Sequence, residues 1–300
     1  MPIEMDLLMI EESVDNTPIF FRTVEEFCRR PKYQLRLQCT SDSLDRIIGK
    51  YERPKDNQIQ CGLNGCTKEH MFGYVIRAKD GTETNCGQVC GRREFGVKFE
   101  EVEALYKKAE DAQLRKRLLT ELAENRTTLL LQGEDVHGRV KECSERISKV
   151  VTEVEKDFAL SSAFRSCIRS GGKIRVENKV DEALRRAKAD LITIGEIQGS
   201  TALINYEELP KTIYYKFLLP LRELDIAHLD NLENNELEKK TREVKDLSSI
   251  LANARDFLID AEKFTEPENL REFSKLKELM PTKSKTGRVD RILSRLPGVS

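Results

Sequence analysis

The chain has 300 residues, of which 39% are hydrophobic, 34% are charged and only 6% are aromatic. Because 51 basic residues are balanced by 52 acidic ones, any binding to nucleic acid or to a membrane has to come from a local patch. No apolar run approaches the roughly 18 residues of a membrane helix, and the N-terminus lacks the basic region of a secretory signal. Eight cysteines, several of them close to one histidine, fit a reducing compartment better than a disulfide scaffold. We therefore expect a cytoplasmic protein without a membrane span.

The first 98 residues predict a small segment of mixed helix and strand. Thr23 is followed three residues later by Glu26, which is the signature of a capped short helix. Apolar and polar residues alternate from Tyr33 to Cys39, which is the period of a half-buried strand. The apolar spacing from Ser43 to Ile48 predicts a second short helix, ended by Gly49.

Five side chains that can bind a metal ion fall between residues 61 and 90. They are Cys61, Cys66, His70, Cys86 and Cys90. Thiolate and imidazole are the groups that Zn²⁺ prefers, and a structural zinc site uses four of them in a tetrahedron. Each cysteine pair lies in a glycine-containing turn, which lets the backbone direct two side chains at one ion. The sequence therefore predicts a zinc site in residues 61–98, with five candidates for four positions.

A hairpin between the two turns is expected to bring the cysteine pairs together. Residues 72–79 and 81–85 are strand-like, and Asp80-Gly81 between them is a strong hairpin signal. The order of turn, hairpin, turn and helix over residues 58–105 resembles treble-clef and zinc-ribbon modules. The ligand pairs are more widely spaced here than in the usual members of those groups.

A second resemblance concerns the ligand set. The string from Thr84 to Gly87, continued by Cys90-Gly91 and Phe95-Gly96, is similar to a group of uncharacterised bacterial and phage-encoded proteins with a Cys, Cys, His, Cys cluster. The position that matches Cys86 is apolar in that group, so the resemblance implies a buried thiol there, and Cys86 stays an alternative ligand. The ligands that the resemblance implies are Cys61, Cys66, His70 and Cys90.

Four protein ligands favour a structural zinc ion, because a catalytic ion keeps one position open for water. Glu69 lies beside His70, but the His-x-Glu order of zinc deaminases is absent. The chain also lacks the common phosphate-binding and nucleophile motifs of enzymes. We therefore expect a non-enzymatic protein, with a zinc-dependent hydrolase of unfamiliar type as the weaker alternative.

Basic side chains on and after the predicted hairpin are candidates for contact with nucleic-acid phosphates or with another partner. We call them the basic rim, and they are Arg77, Lys79, Arg92, Arg93 and Lys98. The alternative is an ordinary solvated surface.

Beyond residue 98 the pattern is all-helical, with a long antiparallel hairpin predicted for residues 99–169. Its turn is expected at Gln132–Asp135, before a heptad seam from Val136 to Val154. Such a seam is typical of a coiled coil, so a homo-oligomer that forms through these helices is one alternative. The preceding helix offers Leu114, Leu118 and Leu122 as partners, which favours an intramolecular hairpin.

Residues 173–280 predict a helical domain and residues 281–300 a basic amphipathic tail. The domain is expected to begin with a helix whose apolar stripe is Val176, Val180, Leu184, Ala187 and Leu191. The tail carries Lys285, Arg288, Arg291 and Arg295. Its apolar stripe of Val289, Ile292, Leu293 and Leu296 either docks on the helical body or binds a partner.

The expected fold class is mostly α, with a small α+β zinc module in residues 1–98, a long antiparallel helical hairpin and a helical bundle. The expected function is that of a zinc-stabilised binding or adaptor protein that contacts nucleic acid through the basic rim. A protein-binding scaffold or regulatory subunit that uses the hairpin and the tail is the alternative.

Overall fold

The computed structural model describes residues 17–177, 191–229, 231–285 and 287–297. Its internal contacts divide the chain into two compact units, Met1–Leu118 with Glu233–Glu238 and Leu119–Leu232 with Lys239–Ser300. Most of the described residues are helical, so the expected mostly α class is confirmed. Among these residues no helix is both long and apolar enough to cross a membrane.

A four-stranded sheet organises the first unit. Its strands and those of a smaller pair are β1 Ile19–Phe21, β2 Leu44–Glu52, β3 Ile59–Gln60, β4 Glu69–His70, β5 Phe72–Ala78 and β6 Glu83–Cys86. The order in the large sheet is β1-β2-β5-β6, with β1 parallel to β2 and the other neighbours antiparallel, while β3 pairs only with β4. The turn between β5 and β6 holds Gly81 at a φ of 86°, so the hairpin predicted at Asp80-Gly81 is confirmed.

Helices cover both faces of this sheet. They are α1 Val24–Cys28, α2 Gln88–Phe95 and the part of α3 Val97–Glu124 that belongs to the first unit. Phe27 of α1 is buried with Tyr51 and Val75 on one face, and Phe99 of α3 is buried with Ile76 on the other. The short capped helix is confirmed, because the Thr23 hydroxyl accepts a hydrogen bond from the backbone N–H of Glu26.

Two local predictions in this unit are wrong. Ser43–Ile48 is not a helix, because the residues from Leu44 onward form β2. Bulges in that strand shift the alternation of its buried side chains, so the spacing of its apolar residues resembles that of a helix. Tyr33–Cys39 is not a strand: Tyr33 and Leu37 make only isolated bridges, and Arg36 between them has a φ of 64°. A residue with positive φ interrupts the extended backbone that the alternation predicted.

The second unit is built on long helices. Its elements after α3, which crosses the division of the chain, begin with α4 Arg126–Glu155, α5 Phe158–Arg169, β7 Lys173–Glu177, β8 Leu191–Glu196 and α6 Leu209–Ile213. They continue with a π-helical turn Tyr214–Leu218, α7 Leu219–Arg222, α8 Ile226–Leu229, α9 Asn234–Val244, α10 Leu247–Thr265, α11 Pro267–Glu272 and α12 Gly287–Leu293. Short 3-10 helices lie at Ser200–Ile204, Phe273–Leu279 and Thr282–Ser284.

The predicted turn at Gln132–Asp135 is wrong, since these residues lie inside α4 and the helix is interrupted at Asn125 instead. The Asn125 side-chain amide donates to the carbonyl of Glu121 at 2.8 Å, which competes with the helical backbone pattern. Gly133 has a packing role, because a Cβ there would lie 2.4 Å from Cε1 of Phe217. The heptad seam is buried, and it is α10 of the same unit that packs along α4. Leu114 and Leu118 are exposed.

The expectation of an all-helical chain after residue 98 is also wrong, because β7 and β8 pair as antiparallel strands. Val176 and Leu191 lie in these strands and not in a helix. β-branched residues at alternate positions favour the strand, with Ile174 fully buried. The other members of the predicted stripe, Val180, Leu184 and Ala187, lie outside the described residues.

The C-terminal tail docks on its own unit. Four apolar residues of its stripe, Val289, Ile292, Leu293 and Leu296, are buried, and α12 packs against α4. Arg288 donates to the backbone carbonyl of Lys156 at 2.7 Å, and Lys285 forms an ion pair with Glu278. This arrangement agrees with the docking alternative for the tail.

Candidate metal centre

The side chains of the centre are presented by two turns, one strand and the start of one helix. Cys61 directly follows β3, and its backbone N–H donates to the carbonyl of Lys68 at 2.8 Å, which closes the loop that leads to His70 on β4. Cys66 follows Gly65, whose φ of 71° is accessible to glycine without strain. Cys90 lies in the first turn of α2, after the β5–β6 hairpin has returned the chain.

The ligand atoms of Cys61, His70 and Cys90 all lie within 4.8 Å of one another, so this cluster could hold a metal ion. Cys66 adjoins this cluster and is a candidate fourth ligand, because its Sγ lies 3.6 Å from the Sγ of Cys90. Two sulfurs bound tetrahedrally at about 2.3 Å from one zinc ion would be about 3.8 Å apart, which is close to that separation. All three thiols are buried.

One nitrogen of His70 is free to bind such an ion. Its Nδ1 lies 2.9 Å from Oη of Tyr51, whereas its Nε2 is buried and has no hydrogen-bond partner among the described residues. An unpartnered buried nitrogen is unfavourable unless something binds it. With the proton on Nδ1 donated to Tyr51, Nε2 carries the lone pair that a metal needs.

A hydrogen-bonded chain holds Tyr51 in turn. Asn85 of β6 donates from Nδ2 to Oη of Tyr51 at 3.2 Å and to the carbonyl of Gln60 at 2.9 Å. Oδ1 of the same amide accepts from Oη of Tyr33 at 2.7 Å. This series of hydrogen bonds therefore fixes the His70 ring through residues from three separate parts of the first unit.

Gly87 leaves the space that the His70 ring occupies. A Cβ at this position would lie 2.6 Å from Cδ2 and 3.2 Å from Nε2 of the imidazole. Its φ of −75° is ordinary for any residue. The need for glycine is therefore steric, and the nearest atoms that a side chain would meet are those of the His70 ring.

The thiols differ in their electrostatic surroundings. Burial raises the pKa of Cys61 to about 12 and also raises the pKa of Cys90. Burial acts in the same direction on Cys66, but hydrogen bonds from the Lys68 backbone and the Arg93 guanidinium outweigh it and lower its pKa to about 7. Burial lowers the pKa of His70, which keeps the imidazole in the neutral form that binds metals. Several thiolates this close repel one another, and a cation would remove that repulsion.

Cys86 lies outside this group. It is fully buried on β6, where it is paired in register with Tyr74 and packs in the core with Leu44 and Ile76. Burial raises its pKa well above the ordinary value of a thiol. The structure thus brings Cys61, Cys66, His70 and Cys90 together and places Cys86 in the apolar core beside them.

Most of the basic rim makes internal contacts. Arg77 forms an ion pair with the buried Glu83, and Arg93 donates to Sγ of Cys66 at 3.6 Å. Arg92 and Lys98 pair with Glu103 and Glu101, both at 3.2 Å, and keep about half of their side-chain surface exposed. Lys79 is exposed and makes no ion pair with the described residues.

Sequence reasoning missed Glu103, a buried carboxylate that links the centre to α3. It accepts hydrogen bonds from Tyr74, Gln88 and Lys107 at 2.9, 2.5 and 2.8 Å, besides its ion pair with Arg92. Two of these donors lie on α2, the helix that carries Cys90. No motif marks Glu103, because its partners come from three elements. No sequence motif marks Asn85 either, although this residue directly precedes Cys86.

Protein-family models, characterised proteins and solved structures were compared with the chain, and none of them matches it. The interpretation of the centre therefore depends on its own chemistry and geometry.

Proposed function

We propose that the chain is a non-enzymatic binding protein whose first unit is held together by one structural zinc ion. The observation that carries this proposal is a fourth thiol beside the cluster of Cys61, His70 and Cys90: Sγ of Cys66 lies 3.6 Å from Sγ of Cys90, so Cys66 can supply the fourth ligand of a tetrahedral site. A catalytic zinc ion keeps a position for water, and four protein ligands leave none.

Zinc is favoured over other metals by the donor set. Three thiolates and one imidazole suit Zn²⁺, whereas magnesium and calcium prefer oxygen ligands. None of the eight cysteines forms a disulfide, which suits a reducing compartment, and we propose the cytoplasm as the location of the protein. Binding of the ion would join β3, β4 and α2, which otherwise share few regular hydrogen bonds.

The metal can be tested by substituting Co²⁺ for Zn²⁺ in the purified protein. We expect one ion per chain and a tetrahedral cobalt spectrum whose sulfur charge-transfer band corresponds to three thiolates. Cys66→Ser should reduce this band by about a third and weaken zinc binding, whereas Cys86→Ala, the matched control, should keep it. Protein that contains no metal and loses no circular dichroism on chelation would contradict the proposal.

Nucleic acid is the partner that we propose for the rim. Arg92 and Lys98 are half exposed, and Lys79 is free to contact a phosphate. The ion pair of Lys98 with Glu101 is exposed on both sides and contributes about 0–1 kcal/mol, so a phosphate can replace that carboxylate. Arg77 is a poorer candidate than Arg92, because only 23% of its side chain is exposed against 50% for Arg92, although each contacts a buried glutamate.

Salt dependence tests this part. If the rim binds phosphates, oligonucleotide affinity should fall steeply with salt, and Arg92→Ala with Lys98→Ala should reduce the slope by about two. Lys211→Ala with Arg271→Ala removes two surface cations of the second unit and serves as the control. Affinity that does not respond to salt would instead favour the protein-binding scaffold.

A further inference from the structure

A cleft of about 700 Å³ lies beside α5 in the second unit. Its lining comes from the end of α4, at Glu155 and Lys156, and from one face of α5. On that face Phe158, Ser162, Arg165 and Arg169 follow one another at helical spacing. At 1.5 Å per residue, the first and last of these lie about 16 Å apart along the helix axis.

The cleft is basic. Lys156, Arg165 and Arg169 line it together with one carboxylate, Glu155, which is in an ion pair with Arg165 at 2.9 Å, while Lys156 pairs with Glu153 of α4. Arg169 is exposed and makes no ion pair within the parts of the chain that the structure describes. Arg288 adds a further guanidinium next to this end of α4, where it donates to the carbonyl of Lys156. The cleft therefore attracts anions although the chain as a whole is almost neutral.

An exposed aromatic ring lies on the lining of the same cleft. Phe158 is 89% exposed. It is the first residue of α5 and follows Asp157, whose side chain caps the helix by accepting hydrogen bonds from the N–H groups of Ala159 and Leu160. The cap could be followed by any polar residue, so helix formation does not require phenylalanine here. A large apolar ring that is left in water on the lining of a basic cleft is a surface on which a flat, apolar face can stack.

We infer that this cleft binds single-stranded nucleic acid, with a base stacked on Phe158 and the neighbouring phosphates held by Arg165 and Arg169. An aromatic platform in a positively charged groove is the usual means of binding single strands without sequence preference. A duplex keeps its bases stacked and cannot offer one to the ring. The inference shares only the class of partner with the function proposed above, and its residues belong to neither the metal centre nor the rim.

The absence of tryptophan from the chain allows a direct test. Phe158→Trp creates a single fluorophore at the proposed stacking position, and a short thymidine oligonucleotide should quench its emission as it binds. Leu131→Trp places the only tryptophan at another exposed position of the second unit and should not be quenched. Inorganic polyphosphate, a polyanion without bases, should compete for the site without quenching.

Affinity measurements complete the test. Phe158→Ala should weaken oligonucleotide binding about tenfold, since stacking contributes about 1–3 kcal/mol per base. Arg165→Ala should reduce the salt slope by about one, whereas Arg139→Ala, which removes an arginine with a comparable exposed ion pair to Glu262, should not. Quenching of the Phe158→Trp variant by an acidic peptide to the same extent would overturn the inference in favour of a protein partner. Unchanged emission with the oligonucleotide would overturn it outright, whatever the rim variants show.

Discussion

Oη of Tyr51 lies 2.9 Å from Nδ1 of His70, and this contact leaves the buried Nε2, which has no hydrogen-bond partner among the described residues, as the nitrogen that can bind a metal ion. Partners of this kind orient a metal-bound histidine and stabilise the tautomer that binds. Tyr51 belongs to the sheet and His70 to the small strand pair. The contact therefore links the proposed metal centre to the sheet core.

Tyr51→Phe should weaken zinc binding about 10- to 100-fold without abolishing it, because the ligand remains and only its orientation is lost. The measurement is a competition titration with a zinc chelator of known affinity. Tyr106→Phe removes a hydroxyl of the same unit that donates to the carbonyl of Ile19 and should leave zinc affinity unchanged. Equal affinities in both variants would show that Tyr51 does not support the ligand.

Gly87→Ala should damage the metal centre through sterics alone. The new Cβ would lie 2.6 Å from Cδ2 of His70, and the ring can yield only by giving up its position between Tyr51 and the thiols. We expect weaker zinc binding and a lower melting temperature of the zinc-bound protein. The difference from the unaltered protein should become small in excess chelator, where the position of His70 no longer matters. An equal loss of stability with and without zinc would assign Gly87 to folding only.

The residues of the candidate centre could be anticipated because their chemistry is a matter of residue type and short spacing. Two turns and one hairpin signal suffice to bring cysteines and a histidine together. Tyr51 and Asn85 could not be anticipated, since their hydrogen bonds depend on the pairing of β2, β5 and β6. Residues that support a ligand lie in elements whose register the sequence alone leaves open.

The errors in the fold have a similar origin. In β2, bulges place Leu44 and Ile47 on one face and Ile48 on the other, a spacing that single-sequence reasoning interprets as a helix. In α4, Gly133 marks a close approach to Phe217 and not a turn. Long-range packing decides both cases, and neither bulges nor close contacts leave a local signal.

Glu103 should make the first unit sensitive to acid. Its burial alone would raise its pKa, but hydrogen bonds from Lys107, Tyr74, Gln88 and Arg92 outweigh this and lower the pKa to about 2. A carboxyl whose folded pKa is depressed stabilises the fold above its unfolded pKa and loses that contribution as the pH falls through the folded value. The contribution, on the order of 3 kcal/mol, should therefore disappear between about pH 5 and pH 2.

Urea unfolding at several pH values measures this effect. Glu103→Gln should lower the unfolding free energy at pH 7 and flatten its decline towards pH 2, because the titrating group is gone. Glu101→Gln removes an exposed carboxylate that pairs only with Lys98 in the described structure and should change little. An unaltered acid profile in Glu103→Gln would show that other carboxylates dominate the transition.

Two glycines of α4 should respond to alanine with opposite signs. A Cβ at Gly133 would lie 2.4 Å from Phe217 and 2.9 Å from Leu218, both buried, whereas a Cβ at Gly138 would meet nothing within 4 Å. Gly138→Ala should therefore stabilise the helix by up to about 1 kcal/mol. Gly133→Ala gains the same helix propensity, but overpacking of about 1–3 kcal/mol should outweigh it. Urea midpoints of the two variants measure the difference, and because they share one helix, propensity cancels between them. Stabilisation by both substitutions would mean that the π-helical turn carrying Phe217 can move away from α4.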